Sequence, residues 1–448
     1  MEPQTCDLLI TNCTALLPDL SLRPATAIAV DQGRIVALGD DATVRAGFRA
    51  RTHIDGSGHV AMPGLIDAHT HACQQLLRGR ITDEPPMIWA RILVPFESQL
   101  EPDDVYWSGK LCCLEMIKAG ITSFADSGGR HMEQVATAVE EMGLRACIAR
   151  STMDMAEFVP ANMKDTAAEA IARTEELYHA WHGKANGRIH IWFALRQVMT
   201  STPALVDGVA EAAQRYRTGV HIHLAEHLRE VEHCLINYRQ RPAEWLASRG
   251  LLGPNVLAAH CVVLSDREVR LLVERGTTPV HCPRSNLTSH GFPKTPLFLT
   301  FGSPVGLGSD GASSNRVDIF EAMRLLKAAT QAHYGLPIND PAVLPVADLA
   351  RMATAGGARA LMLEEQVGTL EVGKRADIIL VDCSGPHMTP THNLLRTLVM
   401  AAAPENVTDT IVDGQVLMRS RKVLVCDEEE VIRKAAEHLG AVARRAGL

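Results

Sequence analysis

Between Met62 and about Glu365 the chain alternates short β-like runs with longer amphipathic segments. Helices are indicated by apolar residues three and four apart, with glycine at the end, in DDVYWSGKLCCLEMIKAG, VDGVAEAAQRYRTG and SDREVRLLVERG. Such alternation is typical of βαβ units, whose strands are parallel in one sheet. The sequence therefore predicts an α/β fold with a parallel sheet.

Eight candidate strands occur in this region, at residues 64–71, 121–128, 145–154, 189–197, 219–226, 256–264, 278–286 and 304–311. Eight strand and helix pairs predict a closed (β/α)8 barrel of the TIM type. Nearly all of these strands end in His, Asp, Glu, Arg or Asn. Because the C-terminal ends of barrel strands build the active site, we expect these polar side chains to surround one cavity.

The two chain ends share a different pattern, in which short β-rich pieces alternate with turns. The segments VDQGRIVALG, near the N-terminus, and VDGQVLM, near the C-terminus, each predict a hairpin with Asp and Gly at the turn. We therefore predict that residues 1–62 and 366–448 form one small β-sandwich domain with a C-terminal helix. Residues 63–365 form the predicted barrel.

The amino-acid composition limits the classes of molecule that the protein is expected to bind. The chain has 44 Lys and Arg against 52 Asp and Glu, a formal net charge of −8, so no basic surface for nucleic acid or anionic lipid is expected. The eleven cysteines follow no spaced framework, and Cys112 and Cys113 are adjacent, which favours reduced thiols. With no signal-like leader and no long apolar run, the sequence predicts a cytoplasmic protein with a small-molecule substrate and no membrane partner.

Four of the polar strand ends predict a metal site. His69 and His71 flank one residue of an extended segment, so their side chains point to the same face. His223 ends the fifth strand and Asp310 ends the eighth, and no Cys-x-x-Cys pattern offers a rival site. Three imidazoles and a carboxylate suit one divalent metal ion per chain, Zn first, with Fe or Mn as alternatives.

The motifs PGLIDAHTH, HIHLAE, AAHCV, HCPRSN and GSDGASSN, followed by GTLEVGKRADIILVD, resemble the amidohydrolase superfamily. The resemblance runs from about residue 7 to 425 and is to the mononuclear deaminase and chlorohydrolase branch. It implies that the metal ligands are His69, His71, His223 and Asp310. It also implies catalytic roles for Glu226 and His260, and it favours a homo-oligomer, a dimer or a tetramer.

The chemistry of that family explains these residue types. An activated water attacks an electron-poor ring carbon, Asp310 accepts its proton, and Glu226 protonates the adjacent ring nitrogen. His260 then donates a hydrogen bond to the oxygen of the tetrahedral intermediate. His281 is interpreted either as a substrate contact or as a structural residue that bonds the loop after strand eight. The other histidines, His290 among them, are interpreted as surface, core or loop residues.

The predicted substrate contacts are Glu97, Arg150, Arg196, Gln197 and His281. The segment around Glu97 resembles methylthioadenosine and S-adenosylhomocysteine deaminases, in which a Glu after Pro holds ribose hydroxyls; the alternative is a solvated Glu that opens a helix. Arg150 matches an Arg that reaches toward the ligand in those enzymes. The adenosine-type enzymes have a His after strand four, whereas Ala194 to Gln197 here provide Arg196, which is more like guanine deaminases.

We therefore predict a metal-dependent aminohydrolase that acts on an aminated nitrogen heterocycle, with an adenosine-like nucleoside favoured. The alternatives are deamination of guanine, an 8-oxopurine or a pterin, and a triazine chlorohydrolase or aminohydrolase. A non-catalytic barrel that keeps its metal site is a hypothesis of another class. The presence of all four ligands with Glu226 and His260 argues against it.

Overall fold

The computed structural model describes residues 2–85, 87–313 and 315–447. Its strands, in chain order, are β1 (Gln4–Leu16), β2 (Leu22–Asp31), β3 (Arg34–Asp40), β4 (Phe48–Asp55), β5 (His59–Pro63), β6 (Leu65–Thr70), β7 (Ile121–Asp126), β8 (Arg145–Ala149), β9 (Ile189–Leu195), β10 (Val220–Leu224), β11 (Val256–His260), β12 (Thr278–His281), β13 (Gly306–Leu307), β14 (Ile378–Asp382), β15 (Val407–Val412), β16 (Gln415–Arg419) and β17 (Lys422–Val423). They form two sheets.

The eight strands β6 to β13 form the central sheet, in which each strand pairs in parallel with the next along the chain. The last strand returns to the first, because the backbone N–H of Asp310 donates to the carbonyl of His69 at 2.9 Å. Every predicted strand of the barrel is present and in the predicted order. The predicted (β/α)8 architecture is confirmed.

Helices connect the barrel strands. The α-helices of the region are Val94–Glu97, Pro102–Ala119, Met132–Met142, Ala167–Trp181, Lys184–Gly187, Pro203–Tyr216, Leu228–Tyr238, Pro242–Ser248, Asp266–Arg275, Pro283–Ser285, Thr295–Thr300, Ile319–Thr330, Val346–Arg351 and Gly357–Ala360. Single 3₁₀ or π turns occupy Ala72–Leu77, Trp89–Leu93, Ala161–Met163, Val198–Thr200, Asn286–His290, Gln331–Gly335, Leu336–Ile338 and Met352–Gly356. The helices after β6 and β11 end at Gly120 and Gly276 in the left-handed region, as the sequence predicts.

The strands of both chain ends are hydrogen-bonded into one nine-stranded sheet, in which β5 pairs with β14. Its apolar face includes Leu8, Ile28 and Ile378, which belong to one buried cluster. Both predicted hairpins are present, between β2 and β3 and between β15 and β16. The sheet is the expected small β unit built from the two ends of the chain.

A buried ion pair joins this sheet to the barrel. The Arg145 guanidinium, in β8, donates to both carboxylate oxygens of Asp377 at 2.9 and 3.0 Å. Both side chains are almost fully buried, and such bidentate pairing fixes orientation as well as distance. The two units are therefore held in one arrangement.

Among the described residues, three further α-helices lie outside the barrel, Asp41–Gly47, Leu394–Ala401 and the predicted C-terminal helix, Glu428–Ala446, together with the 3₁₀ turn Pro404–Asn406. The C-terminal helix packs on Pro102–Ala119, where His438 Nδ1 lies 2.7 Å from Asp104 Oδ1. All eleven cysteines are free. Across the described residues, no helix combines the length and the hydrophobicity that crossing a bilayer requires.

Candidate active site at the C-terminal ends of the barrel strands

Three histidines come together where β6 and β10 end. One side-chain nitrogen from each of His69, His71 and His223 lies within 4.8 Å of the other two, and all three side chains are buried. The closest approach is 3.3 Å, between Nε2 of His71 and Nε2 of His223. The alternation of side chains along an extended strand places His69 and His71 on one face, as predicted.

Asp310 completes this cluster from the segment after β13. Its Oδ1 lies 3.0 Å from His69 Nε2 and 3.4 Å from His71 Nε2. Burial by itself raises the pKa of the carboxyl group, but hydrogen bonds from the two histidines more than offset this and hold the pKa well below its usual range. Asp310 is therefore an ionised carboxylate beside three imidazoles.

The donor set fits a metal ion. Burial lowers the pKa of His69 to about 4 and lowers that of His223 well below its usual value, so both imidazoles are neutral, the form that binds metals. The Nδ1 atom of His223 is buried and has no hydrogen-bond partner among residues 2–85, 87–313 and 315–447. A second group, His69, His260 and Cys282, fits less well because burial raises the pKa of the Cys282 thiol, whereas the ligand form is the thiolate.

Two polar residues orient the histidines of the cluster. His221 Nε2 lies 2.7 Å from His69 Nδ1, and Ser127 Oγ lies 2.9 Å from His71 Nδ1. Hydrogen bonds of this kind fix the ring orientation and the tautomer of a metal-ligating histidine. Neither residue was predicted, although His221 shares with His223 the same His-x-His spacing as His69 and His71.

Glu226 and His260 lie beside the cluster, at the ends of β10 and β11. The Glu226 carboxylate oxygen Oε1 is 4.0 Å from His260 Nε2, and Oε2 accepts a hydrogen bond from Gln197. Burial raises the pKa of Glu226, but the nearby His260 and His290 more than offset it, so the net shift is downward. Three predicted site residues, Glu226, His260 and Gln197, thus form one buried group.

Glu230, in the helix Leu228–Tyr238, holds the backbone around Glu226. Its carboxylate oxygens accept hydrogen bonds from the backbone N–H groups of Ala225, at 3.0 Å, and Glu226, at 3.2 Å. Glu230 is fully buried. The turn that aims Glu226 is therefore held by a side chain one helical turn ahead.

Glu97 and Arg196 contact each other. Arg196 donates from Nη1 to Oε2 and from Nη2 to Oε1 of Glu97, both at 3.1 Å, and Gln74 Nε2 donates to Oε1 at 2.6 Å. The Glu97 and Arg196 side chains are 0% and 3% exposed. The sequence predicted both as substrate contacts but not that each would be the partner of the other.

The remaining two predicted contacts are placed differently. His281 Nδ1 lies 2.8 Å from Thr295 Oγ1, while its Nε2 is buried and meets no partner within the part of the chain that the structure describes. Arg150 pairs instead with Asp165, at 2.6 Å, on a separate cavity that none of the cluster histidines lines. Within this chain, the structure does not bring Arg150 together with the histidine cluster.

His290, interpreted from the sequence as a surface, core or loop residue, lies in a turn and also contacts Glu226. Its Nε2 lies 3.0 Å from Glu226 Oε1, although it comes from the π turn Asn286–His290 after β12. Residues of an irregular turn have no periodic spacing, so the sequence offered no signal for this contact.

The chain is similar to known proteins in both sequence and structure. The model of the Amidohydrolase family matches residues 60–417. A protein named 5-methylthioadenosine/S-adenosylhomocysteine deaminase from Desulforudis audaxviator is 42% identical over 411 residues, which cover 91% of this chain and 93% of that protein. One of the same name from Pelotomaculum thermopropionicum is 40% identical over 435 residues, or 96% of this chain and 97% of that protein.

Two solved structures share the fold of this chain over nearly its whole length. The structure described as an adenosine deaminase from Xanthomonas campestris with bound Zn has a TM-score of 0.92 at 30% identity, covering 99% of this chain and all of that one. An atrazine chlorohydrolase from Arthrobacter aurescens, complexed with zinc, has a TM-score of 0.88 at 25% identity, covering 96% of this chain and 100% of the other.

Proposed function

This chain belongs to the amidohydrolase family, and from that premise we propose that it is a hydrolytic deaminase of an aminated nitrogen heterocycle. The observation that carries the proposal is the convergence of three histidines and Asp310 beside Glu226 and His260 at one end of the barrel. A metal site next to a buried acid and a buried imidazole has the groups that addition of water to a ring carbon requires.

We assign His69, His71, His223 and Asp310 as the residues that hold one divalent metal ion, with Zn first and Fe or Mn as alternatives. The neutral imidazoles and the ionised carboxylate support this set. When bound, such an ion lowers the pKa of a water molecule to about 7. Two of the solved relatives hold zinc, which favours that metal here.

The residues of the chain account for the proton transfers. Asp310, held ionised, accepts a proton from the attacking water and passes it to the leaving amine. Glu226 protonates the ring nitrogen next to the attacked carbon. Both groups lie at the same end of the barrel, so water can add across one C–N bond.

His260 stabilises the oxygen of the tetrahedral intermediate. Its Nε2 is buried and has no partner in the described part of the chain, while Nδ1 lies 3.0 Å from the Asn286 side-chain oxygen. The Asn286 amide nitrogen is also without a partner, and the two ends of an amide fit the same space. With an amide donor turned toward Nδ1, the proton of the His260 ring sits on Nε2, which donates a hydrogen bond to the developing oxygen.

For the substrate, we propose an adenosine-like nucleoside of the methylthioadenosine or S-adenosylhomocysteine type. The names of the similar proteins support this class. In this assignment the substrate pocket is lined by Glu97, Arg196 and Gln197. His281, whose Nε2 has no partner among the described residues, is a further contact, whereas Arg150 is paired with Asp165 on a separate cavity and is left out of this assignment.

One observation favours a second candidate, the deamination of an oxopurine or pterin without ribose. Both oxygens of Glu97 are already bonded to Arg196, and Gln74 adds a third hydrogen bond. Glu97 must leave this pairing, at least in part, before it accepts hydrogen bonds from two ribose hydroxyls. A free base has no ribose hydroxyls, so Glu97 can stay paired with Arg196 when it binds.

Ammonia release from a panel of compounds tests the proposal. The panel contains methylthioadenosine, S-adenosylhomocysteine, adenosine, adenine, guanine, 8-oxoguanine, a pterin and a chlorotriazine, with chloride release measured for the last. We expect kcat/KM to be highest for one of the two thio-nucleosides. Turnover of the free bases alone would select the second candidate, and chloride release without ammonia release would refute the deaminase assignment.

We further propose that the protein is a cytoplasmic homo-oligomer, a dimer or a tetramer. The free cysteines and the absence of a membrane-spanning helix among the described residues are consistent with that location. Sedimentation equilibrium measures the oligomeric state directly, and a monomer at micromolar concentration would contradict this part of the proposal.

A further inference from the structure

His290 Nε2 lies within ion-pair distance of one carboxylate among the described residues, that of Glu226. Its Nε2 lies 3.0 Å from Oε1, and its Nδ1 is buried without a partner. The His290 side chain is 15% exposed. The turn that carries it is closed by other groups, because the Gly291 N–H donates to the Asn286 carbonyl at 2.7 Å. The imidazole is therefore not needed to close its own turn.

Together with Gln197, His290 holds the Glu226 carboxylate from two directions. Gln197 follows β9 and donates to Oε2, whereas His290 follows β12 and approaches Oε1. A carboxylate offers about four acceptor positions, so two remain for the substrate. Glu226 is thus fixed in one orientation and still has acceptor positions free for the substrate.

The groups that face His290 differ in charge. Glu226 lies in contact, the rings of His227 and His260 have centroids 6.1 and 6.0 Å away, and Asp310 lies farther off. Burial by itself lowers the pKa of His290, but the charges of Glu226 and Asp310 and the hydrogen bond to Glu226 outweigh it, so the net shift is upward. His290 therefore favours the protonated form next to an ionised Glu226.

This pairing bears on a requirement of the mechanism. Glu226 must carry a proton when it protonates the ring nitrogen, yet its surroundings hold it ionised. The proton needs a nearby source that is not the attacking water, since that proton goes to Asp310. His290 Nε2 lies 3.0 Å from the carboxylate oxygen that needs the proton.

We propose that His290 is a positioning residue that orients Glu226 and supplies the proton that Glu226 delivers to the ring nitrogen. This inference rests on the proposed deaminase function. The His290 Nε2–H bond breaks as the Glu226 Oε1–H bond forms, and Glu226 then transfers the proton to the ring nitrogen. After the first proton of water has passed through Asp310 to the leaving amine, the second passes from the hydroxyl of the intermediate through Glu226 to His290. The cycle closes with no net proton consumed.

The test compares His290→Gln with His290→Ala in metal-loaded protein. Glutamine retains a donor for Glu226 but carries no transferable proton, so a purely orienting role predicts that His290→Gln restores turnover. We expect instead that both variants lower kcat by about tenfold or more, within the range for proton-transfer groups, with KM changed much less. His333→Ala is the matched control, because His333 is an exposed histidine stacked on Phe292 and away from Glu226.

The pH dependence of kcat distinguishes a proton-supplying role of His290 from a purely structural one. Turnover requires protonated His290, so kcat of the wild type should fall as pH rises through the pKa of His290, and His290→Gln should lack this alkaline limb. Wild-type kcat in His290→Gln, or an unchanged alkaline limb, would overturn the proposal.

A measurement without turnover separates this inference from the proposed function. In ¹³C-histidine NMR titrations, Glu226→Gln should lower the pKa of the resonance that His290→Gln removes. An unchanged pKa overturns the inference, because the two groups are then not coupled. Absence of deamination by the wild type on the whole panel overturns the proposed function and, with it, the proton-supplying role.

Discussion

The buried pair of Glu97 and Arg196 predicts strong coupling between two substitutions. Glu97→Gln leaves the Arg196 guanidinium without a counter-charge at a site only 3% exposed, and Arg196→Met leaves an uncompensated carboxylate at a site 0% exposed. Removal of one partner from a buried ion pair costs roughly 3–5 kcal/mol of stability. The double variant leaves no buried charge and should lose less than the sum of the two single losses.

The assay is urea denaturation of the four proteins in the same metal-loaded state. We expect the free energies of unfolding to depart from additivity by about 1–3 kcal/mol, as contacting residues do. The exposed pair of Arg80 and Glu84, at 2.5 Å, is the matched control, and Glu84→Gln should cost about 0–1 kcal/mol. Additive losses from Glu97→Gln and Arg196→Met would refute the reasoning, since they would mean that the two side chains do not share a buried interaction.

Three further predictions concern the metal, the acid and the pH dependence of stability. Metal analysis should return one equivalent per chain, and His71→Ala should lose the metal and turnover together; two equivalents would contradict a mononuclear site. Glu226→Gln should retain the metal and lower kcat by about 10²-fold or more, because a general acid is removed; wild-type turnover with metal bound would exclude Glu226 from the mechanism. Burial lowers the pKa of His190 from 6.5 to about 4, so the unfolded chain binds the proton first and stability should fall by up to about 3 kcal/mol as pH drops from 6.5 to 4. His190→Gln should reduce this loss, and equal slopes in urea denaturation would show that His190 does not contribute.

The parts of the site that the sequence predicted follow from periodicity. His69, His71, His223, His260 and Asp310 lie at or just after strand ends, and parallel strands of a barrel present those ends on one face. Gln197 and Glu226 follow strands in the same way. Their convergence was predictable because regular secondary structure fixes where each side chain emerges.

The parts that the sequence did not predict depend on contacts between irregular segments. His290 reaches Glu226 from a π turn, and Glu97 reaches Arg196 from the long segment after β6. Neither position follows a period, and the pairing of two charged residues depends on how far each segment folds over the barrel mouth. The alternative interpretation of Glu97, as a solvated residue at the start of a helix, does not hold, because its side chain is fully buried.

Backbone strain occurs at the reactive end of the barrel, and other non-glycine residues of the described chain, such as Leu20 and Arg217, also have positive φ values. Ala225, His260 and Asp310 have φ values of 49°, 71° and 60°, in the left-handed region that residues other than glycine rarely adopt. Each such conformation costs of order 1–3 kcal/mol and persists only where surrounding contacts impose it. Here those contacts are visible: Glu230 accepts from the Ala225 N–H, Asn286 contacts the His260 ring, and the Asp310 N–H donates to the His69 carbonyl. Three strained residues at the ends of three different strands, each held by a specific partner, turn His260, Asp310 and the adjacent Glu226 toward one point, which is what a reaction that moves two protons across a single C–N bond requires.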